Sequence, residues 1–506
     1  MKNTLIAAAF LIVGALSLPT SPVFAKSLSF ETYKQKPKLV VVVVIDQFRS
    51  DFLTRYQKDF MPASSLGFNH MMSTGAYFAQ STYGIMQAMT CPGHAMILSG
   101  SYPAQTGIQI NEWYDTKTRK KIYCADDAEF GFSPRRLKTT TYGDEVKNIY
   151  PDSKVFTVSL KDRSAIFLGG HRANMALWYE DKPKEWSTTK YYGDAPKWLE
   201  KVNVKQRTQG NLEDKTLEAS IAGVNATMDL AITALNEEKL GQRNVNGPDV
   251  LGVSLSNHDI LGHKLGPDAP ELKKLTLEED KQLAKLFSSL KQKNLLDKTV
   301  VVFTADHGIP PASDLLRVGK VATGELDFLG AIKQANEKLT KEFGSSGEQG
   351  WVETVFLNHV YFNRLRLAEK NIDSAKAQNL VKDIFAQIPG VYKVVTREQV
   401  LNAQIPYFDL RWPVENSFVP EAAGDLMLVM EPFYTQKTGA VVTHMTNWNY
   451  DNSVPVIMWG PKWFQAGVYA GSKVVDIAPT LSFVTGVLPP AKASGRVLDE
   501  AFKSNK

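Results

Sequence analysis

Apolar runs recur along the chain, with helical patterns between them. KLVVVVVID (residues 38–46) is a continuous β-branched run that ends in an aspartate. DVLGVSLSNHD (249–259) and TVVVFTADHG (299–308) repeat the arrangement, and SKVFTVSLKDR (153–163) and PVIMWG (455–460) add two candidate strands. A run that is apolar on both faces suits a parallel strand buried between helix layers. Helical stretches are expected at roughly 214–238, 270–293, 324–342, 373–387 and 475–485. The alternation predicts an α/β fold with a mainly parallel central sheet flanked by helices. Residues about 100–150 lack clear periodicity, and about 310–440 carry helices and strands of their own. Both read as insertions over one edge of the sheet within a single domain, 26–506. The charged residues of ELKKLTLEEDKQLAK (271–285) read as a solvated helix face.

The remaining apolar run, Leu5–Leu16, follows Lys2 and precedes Pro19, Pro22 and Ala25. Residues 1–25 therefore read as a secretory signal peptide cleaved before Lys26. The run is too short to span roughly 30 Å of hydrocarbon comfortably. The expectation is a periplasmic or secreted protein with no membrane association after cleavage.

Composition narrows the partners. Of 506 residues, 43% are hydrophobic and 22% charged, ordinary globular values that exclude a largely disordered chain. The net charge of +5 is mild and comes without a basic block, so nucleic acid is not expected as a partner. Two cysteines cannot build a zinc ribbon, so any metal must be held mainly by His and carboxylate. Export makes a Cys91–Cys124 disulfide possible, and a separation of 33 residues leaves it open. A monomer is the expected state.

Three of the strand runs end in an aspartate: Asp46, Asp259 and Asp306. Ligands gather at the carboxyl ends of strands in open α/β sheets, so the three should converge. Crowded carboxylates raise one another's pKa unless a cation neutralises them. His307 adjoins Asp306, and His263 lies four residues after Asp259, one helical turn away. Each aspartate alone would be an ordinary cap or turn residue; together with histidine they suit a divalent metal, zinc first. Thr90 precedes Cys-Pro-Gly and an apolar helical run, which places its hydroxyl at a helix entrance. It is the candidate nucleophile, with Cys91 a rival.

The order Asp46, T-C-P-G-H (90–94), D-x-x-G-H-x-x-G-P (259–267), A-D-H-G (305–308) and T-H (443–444) resembles the alkaline phosphatase superfamily. Within it, the similarity is to the type I phosphodiesterase/nucleotide pyrophosphatase lineage. The resemblance implies an alkaline-phosphatase-like fold with insertions forming a cap over the active site, and two Zn2+ per chain. Asp46, Thr90, Asp306 and His307 would hold one zinc, and Asp259, His263 and His444 the other. His70, His94, His171, His258 and His359 receive no ligand role; packing is the expectation for each. In SLKDRS (159–164), Lys161 and Arg163 would point the same way on a strand. The pair resembles the Lys-x-Arg of threonine-nucleophile bacterial alkaline phosphatases (PafA-type), and Asn111 matches an asparagine that hydrogen-bonds a phosphoryl oxygen. The implied activity is hydrolysis of small-molecule phosphate monoesters through a phosphothreonine. The alternative is a phosphodiesterase or nucleotide pyrophosphatase on the same two-zinc site. Charge favours the monoester: two zinc ions roughly balance three aspartates and a threonine alkoxide, so Lys161 and Arg163 leave a pocket near about +2 for a dianion.

Overall fold

The computed structural model describes residues 35–208, 217–436 and 438–503; the leader read at residues 1–25 lies outside the described residues. A nine-stranded sheet runs through the fold. In chain order its strands are β1 (Leu39–Ile45), β2 (Ala76–Thr82), β3 (Val155–Ser159), β4 (Met175–Glu180), β5 (Glu185–Ser187), β6 (Asp249–Leu255), β7 (Thr299–Thr304), β8 (Ser453–Trp459) and β9 (Gly467–Tyr469). Across the sheet they lie in the order β9-β2-β8-β7-β1-β6-β3-β4-β5. The five strands from β7 to β4 are parallel. β8 pairs antiparallel with β7, β2 with β8, and β5 with β4. The expected parallel centre is present; antiparallel pairs flank it on both sides, and the edge strand β9 pairs parallel with β2. β5 follows β4 after four residues, too few for a parallel crossover.

β1 sits in the middle because its seven residues are apolar on both faces, and all seven are buried. Val44 lies opposite Ser254 of β6 on one side and Thr304 of β7 on the other. The chain therefore leaves all three strands at one level, at the carboxyl edge of the sheet.

Four helices position the site and brace the sheet beneath it: α1 (Thr90–Ser99), α2 (Asp162–Gly169), α3 (Asn257–Leu265) and α4 (Pro270–Gln292). α4 buries the stripe Leu272, Leu275, Leu283, Leu286, Phe287 and Leu290. Its charged residues are not all solvated, contrary to the sequence expectation. Asp280 is buried and accepts the backbone N–H groups of Phe68 and Met61 at 2.6 and 2.7 Å. Glu279 is buried 3.1 Å from His258 Nδ1. Residues 324–436 build a four-stranded antiparallel sheet (Val352–Phe356, His359–Phe362, Leu426–Met430 and Val391–Thr396, in that spatial order). It has its own apolar cluster, with Trp351, Phe362 and Phe385 at its centre. The short hairpin Glu112–Asp115/Lys120–Tyr123 reaches that sheet through Tyr114 and Arg119, both bound to Glu353. No helix among the described residues is long and apolar enough to cross a membrane.

Candidate active site and metal centre

Asp46 follows β1 directly, and the chain then turns sharply. Gln47 adopts φ 69°, and its backbone N–H donates to Asp306 Oδ1 at 3.0 Å while its side-chain amide donates to Asp259 Oδ1 at 2.6 Å. One residue thus ties together the three aspartates picked out by the sequence. Asp306 and His307 follow β7. Asp259 departs from the expected strand-end position, because it lies in the first turn of α3. The four-residue spacing still acts as expected, with His263 Nε2 3.1 Å from Asp259 Oδ1. A Cβ at Gly262 would come 2.0 Å from Gln47 Oε1, so a larger residue there would displace the Gln47 amide that holds Asp259.

Thr90 is the first residue of α1, a helix buried along its whole length. Its first turn rests on the backbone of Asp306: a Cβ at Gly93 would fall 2.3 Å from the Asp306 carbonyl oxygen. The glycine of T-C-P-G-H is what lets the Thr90 turn approach the aspartate.

Two groups of ligand atoms each lie within 4.8 Å of one another: Asp259, His263 and His444, and Asp46, Asp259 and His307. Asp259 belongs to both, whereas Asp306 stands just beside them with Oδ2 3.5 Å from His307 Nε2. The three histidines share one arrangement. Nδ1 of His263, His444 and His307 lies 2.7, 2.6 and 3.0 Å from the carbonyl oxygens of Val442, Ala88 and Gly308. Each Nδ1–H is thereby occupied, and each Nε2 faces the carboxylates: 3.1 Å for His263 and 3.6 Å for His444 to Asp259, and 3.2 Å for His307 to Asp46. This is the pattern by which backbone carbonyls orient metal-binding imidazoles. Asp46 Oδ1, Asp306 Oδ2 and His307 Nε2 are buried without a hydrogen bond among the described residues. Two orphaned carboxylate oxygens and an imidazole nitrogen aimed at one another fit a divalent cation of the zinc class.

Electrostatics agree with a cation site. Burial works against ionisation of Asp46, yet Lys161 and His307 hold it below the usual carboxylate range. Asp259 is held down in the same way, against burial, by His263 and Lys161. Asp306 is pushed up by burial and by the Asp46 charge. Burial opposes charge on His307, but Asp306 and Asp46 lift it to about 9. Burial and neighbouring His307 push His444 down to about 3.

Lys161 and Arg163 converge here, though not as neighbours on a strand. β3 ends at Ser159, Lys161 is the N-cap of α2, and Arg163 lies in its first turn. Lys161 Nζ stands 2.6 Å from Asp46 Oδ2 and 2.7 Å from Asp259 Oδ2, bridging the two ligand groups. Arg163 donates to Tyr123 Oη at 3.2 Å, and Tyr123 donates to Asp162 Oδ1 at 2.7 Å. Burial disfavours the Arg163 charge, but Tyr123, Asp162 and Asp46 hold its pKa above the ordinary value. Asn111 Oδ1 accepts the Cys91 backbone N–H at 2.8 Å, which leaves its Nδ2 as a donor beside Thr90. Cys91 and Cys124 are disulfide-bonded, so the hairpin bearing Asn111 and Tyr123 is tied covalently to the residue after Thr90.

Two contributors escaped the sequence reading. His94 is more than core packing: Nδ1 lies 3.1 Å from Asp306 Oδ2 and 2.9 Å from the Thr90 carbonyl oxygen, and Nε2 lies 2.8 Å from Ser254 Oγ. Its position one helical turn after Thr90 was the available signal. Tyr123 had none beyond its place next to Cys124.

The profile of the type I phosphodiesterase/nucleotide pyrophosphatase family matches residues 40–448. The chain belongs to this family. Relatives similar over nearly the whole length include the alkaline phosphatase PafA of Elizabethkingia meningoseptica, 27% identical over 92% of this chain and 95% of its own. The alkaline phosphatase PhoV of Synechococcus elongatus is 28% identical over 92% of this chain and 93% of its own. The crystal structure of wild-type PafA superposes with a TM-score of 0.83 at 26% identity, covering 92% of this chain and 99% of that one. The fold is alkaline-phosphatase-like.

Proposed function

We propose that the chain is an exported, zinc-dependent phosphomonoesterase of the alkaline phosphatase type, with Thr90 as nucleophile. Asp46, Thr90, Asp306 and His307 would hold one zinc, and Asp259, His263 and His444 the second. Bound there, two dications supply the positive charge that makes an alcohol nucleophilic at neutral pH and stabilises a departing alkoxide. Thr90 Oγ attacks phosphorus in line, the ester P–O bond breaks, and the phosphoryl group rests on Thr90. Water then attacks the phosphothreonine from the side the alcohol left and releases phosphate. Asn111, Lys161 and Arg163 bind the non-bridging oxygens as charge shifts onto them. His94 braces the first turn of the Thr90 helix through the Thr90 carbonyl and lies beside Asp306. The leader at residues 1–25 and the Cys91–Cys124 disulfide support export to an oxidising compartment.

The observation that carries the monoester reading is the Lys161 ammonium between Asp46 and Asp259, with Arg163 two residues on. Two cations beyond the metal ligands match a dianion, and a second ester group would put an alkyl chain against them. The test is a paired assay of a monoester and a diester on wild type, Thr90→Ala and the double substitution Lys161→Ala/Arg163→Ala. Thr90→Ala should lose most turnover while retaining zinc. The double substitution should lower kcat/KM for the monoester much more than for the diester. Wild-type turnover in Thr90→Ala contradicts the nucleophile assignment, equal losses on both esters contradict the selectivity argument, and a diester that outruns the monoester in wild-type kcat/KM supports a diesterase.

A further inference from the structure

A cleft of about 710 Å3 lies where the segment 107–138 meets residues 364–422. Six cationic side chains line it, Lys117, Arg135, Arg136, Lys138, Arg364 and Arg397, against two carboxylates, Asp115 and Glu421. Several of these charges are already spent. Arg135 pairs with Glu129 at 2.6 Å, Lys138 with Glu421 at 3.1 Å, and Arg364 with Asp425 at 2.9 Å. Asp115 accepts from the backbone of Lys117 and Thr118 and from the Thr118 hydroxyl. Two half-buried guanidinium groups make no direct hydrogen bond or ion pair to a carboxylate among the described residues, although Asp425, Glu398 and Glu421 act on Arg397 at longer range. Arg136 donates from Nε to the Asp126 carbonyl at 3.0 Å and stands 5.6 Å from the Trp113 ring centre. Arg397 donates to the Pro420 and Ala423 carbonyls at 3.0 and 3.4 Å.

Arg364 donates to the same Ala423 carbonyl at 2.7 Å, so two guanidinium groups share one neutral acceptor. Burial and the Arg364 charge together push the Arg397 pKa below its ordinary value. Asp425, Glu398 and Glu421 offset only part of this cost to the Arg397 charge, and an anion entering the cleft would offset more of it. Guanidinium forks match phosphoryl oxygens two at a time, which a point charge cannot do. The volume is in the range that takes a whole small ligand, so the cleft has room for more than one phosphoryl group.

We propose that this cleft is a second anion site, distinct from the metal centre, which binds a ligand carrying linked phosphoryl groups through Arg136 and Arg397. None of its lining residues belongs to the candidate metal or nucleophile set, so the site stands or falls independently of the phosphatase reading.

The probe is methylenediphosphonate, a pyrophosphate analogue that resists hydrolysis, titrated calorimetrically into the zinc-loaded full-length enzyme in a buffer that holds free zinc constant. Wild type should bind two equivalents per chain, one at the metal centre and one at the cleft. Arg136→Gln/Arg397→Gln should bind one, with kcat/KM for a small monoester within about twofold of wild type. The cleft equivalent should weaken with added salt. Arg397 also anchors two backbone carbonyls, so Arg136→Gln alone provides the check should the double substitution fail to fold; it should weaken the second equivalent about tenfold or more, a loss on the scale of one charge-assisted contact. The same number of equivalents, at undiminished affinity, in wild type and in the variants, or equal displacement of the cleft equivalent by citrate, would overturn the proposal.

Discussion

Lys161 offers the sharpest separation between stability and metal binding. Its side chain is 10% exposed, and its ammonium contacts the carboxylates of Asp46 and Asp259, whose side chains are 0% and 6% exposed. Substitution by methionine keeps the aliphatic stem and deletes the charge. Removing one partner from a buried ion pair costs about 3–5 kcal/mol, because the charge left behind is uncompensated. Here two carboxylates are left facing each other, so the metal-stripped protein should lose stability in at least that range. Zinc bound by the two carboxylates, as proposed, would supply the compensation by another route, so the loss should shrink several-fold in the loaded protein. The loss should also depend on pH. Lys161 depresses the pKa of both carboxylates, so its stabilisation is present above the unfolded value of 3.8 and disappears as pH falls below it. Denaturant midpoints of wild type and Lys161→Met, each with chelator and with zinc, measure this directly. Equal destabilisation in both metal states would refute the reasoning, since it would mean that Lys161 neither shares nor competes for the charge the metals provide.

Two further outcomes test the surroundings. Tyr123→Phe deletes the hydroxyl between Arg163 and Asp162, and should lower monoester kcat/KM about tenfold, on the scale of one hydrogen bond to a charged group, while diester hydrolysis changes less; steady-state kinetics on both esters decide it. His359 lies in the four-stranded sheet, accepts the Gly424 backbone N–H at its Nδ1, and is pushed down from 6.5 to about 3 by burial and then by Arg364. Its neutral form is favoured on folding, so that stability is intact above pH 6.5 and is lost as pH falls toward 3; acid denaturation followed by circular dichroism should show a shallower loss for His359→Gln.

The parallel centre of the sheet was legible because β1, β6 and β7 are apolar on both faces, a pattern that only burial between layers explains. Asp46, Asp306 and the Asp259–His263 pair followed from where those runs end and from a four-residue spacing. What periodicity could not supply was the bridge between distant segments. Lys161 reaches Asp46 and Asp259 from a helix cap rather than a strand, and nothing local reveals that its four-carbon stem spans two ligand groups. His444 lies in a loop without pattern, and its orientation depends on the Ala88 carbonyl, 356 residues away. Glu279 and Asp280 read as surface charges because helical periodicity does not register a buried partner on another element. The disulfide stayed open at the sequence level for the same reason: the hairpin that carries Cys124 folds back through contacts too short in sequence to show a period.

The proposed phosphoryl transfer to Thr90 requires two dications beside it, and the most direct measurement is zinc content set against phosphate release in the same preparation. The purified protein should carry two zinc per chain, lose monoester hydrolysis in step with zinc removal by chelator, and recover it on zinc addition. Full turnover by protein shown to be free of metal would contradict that dependence.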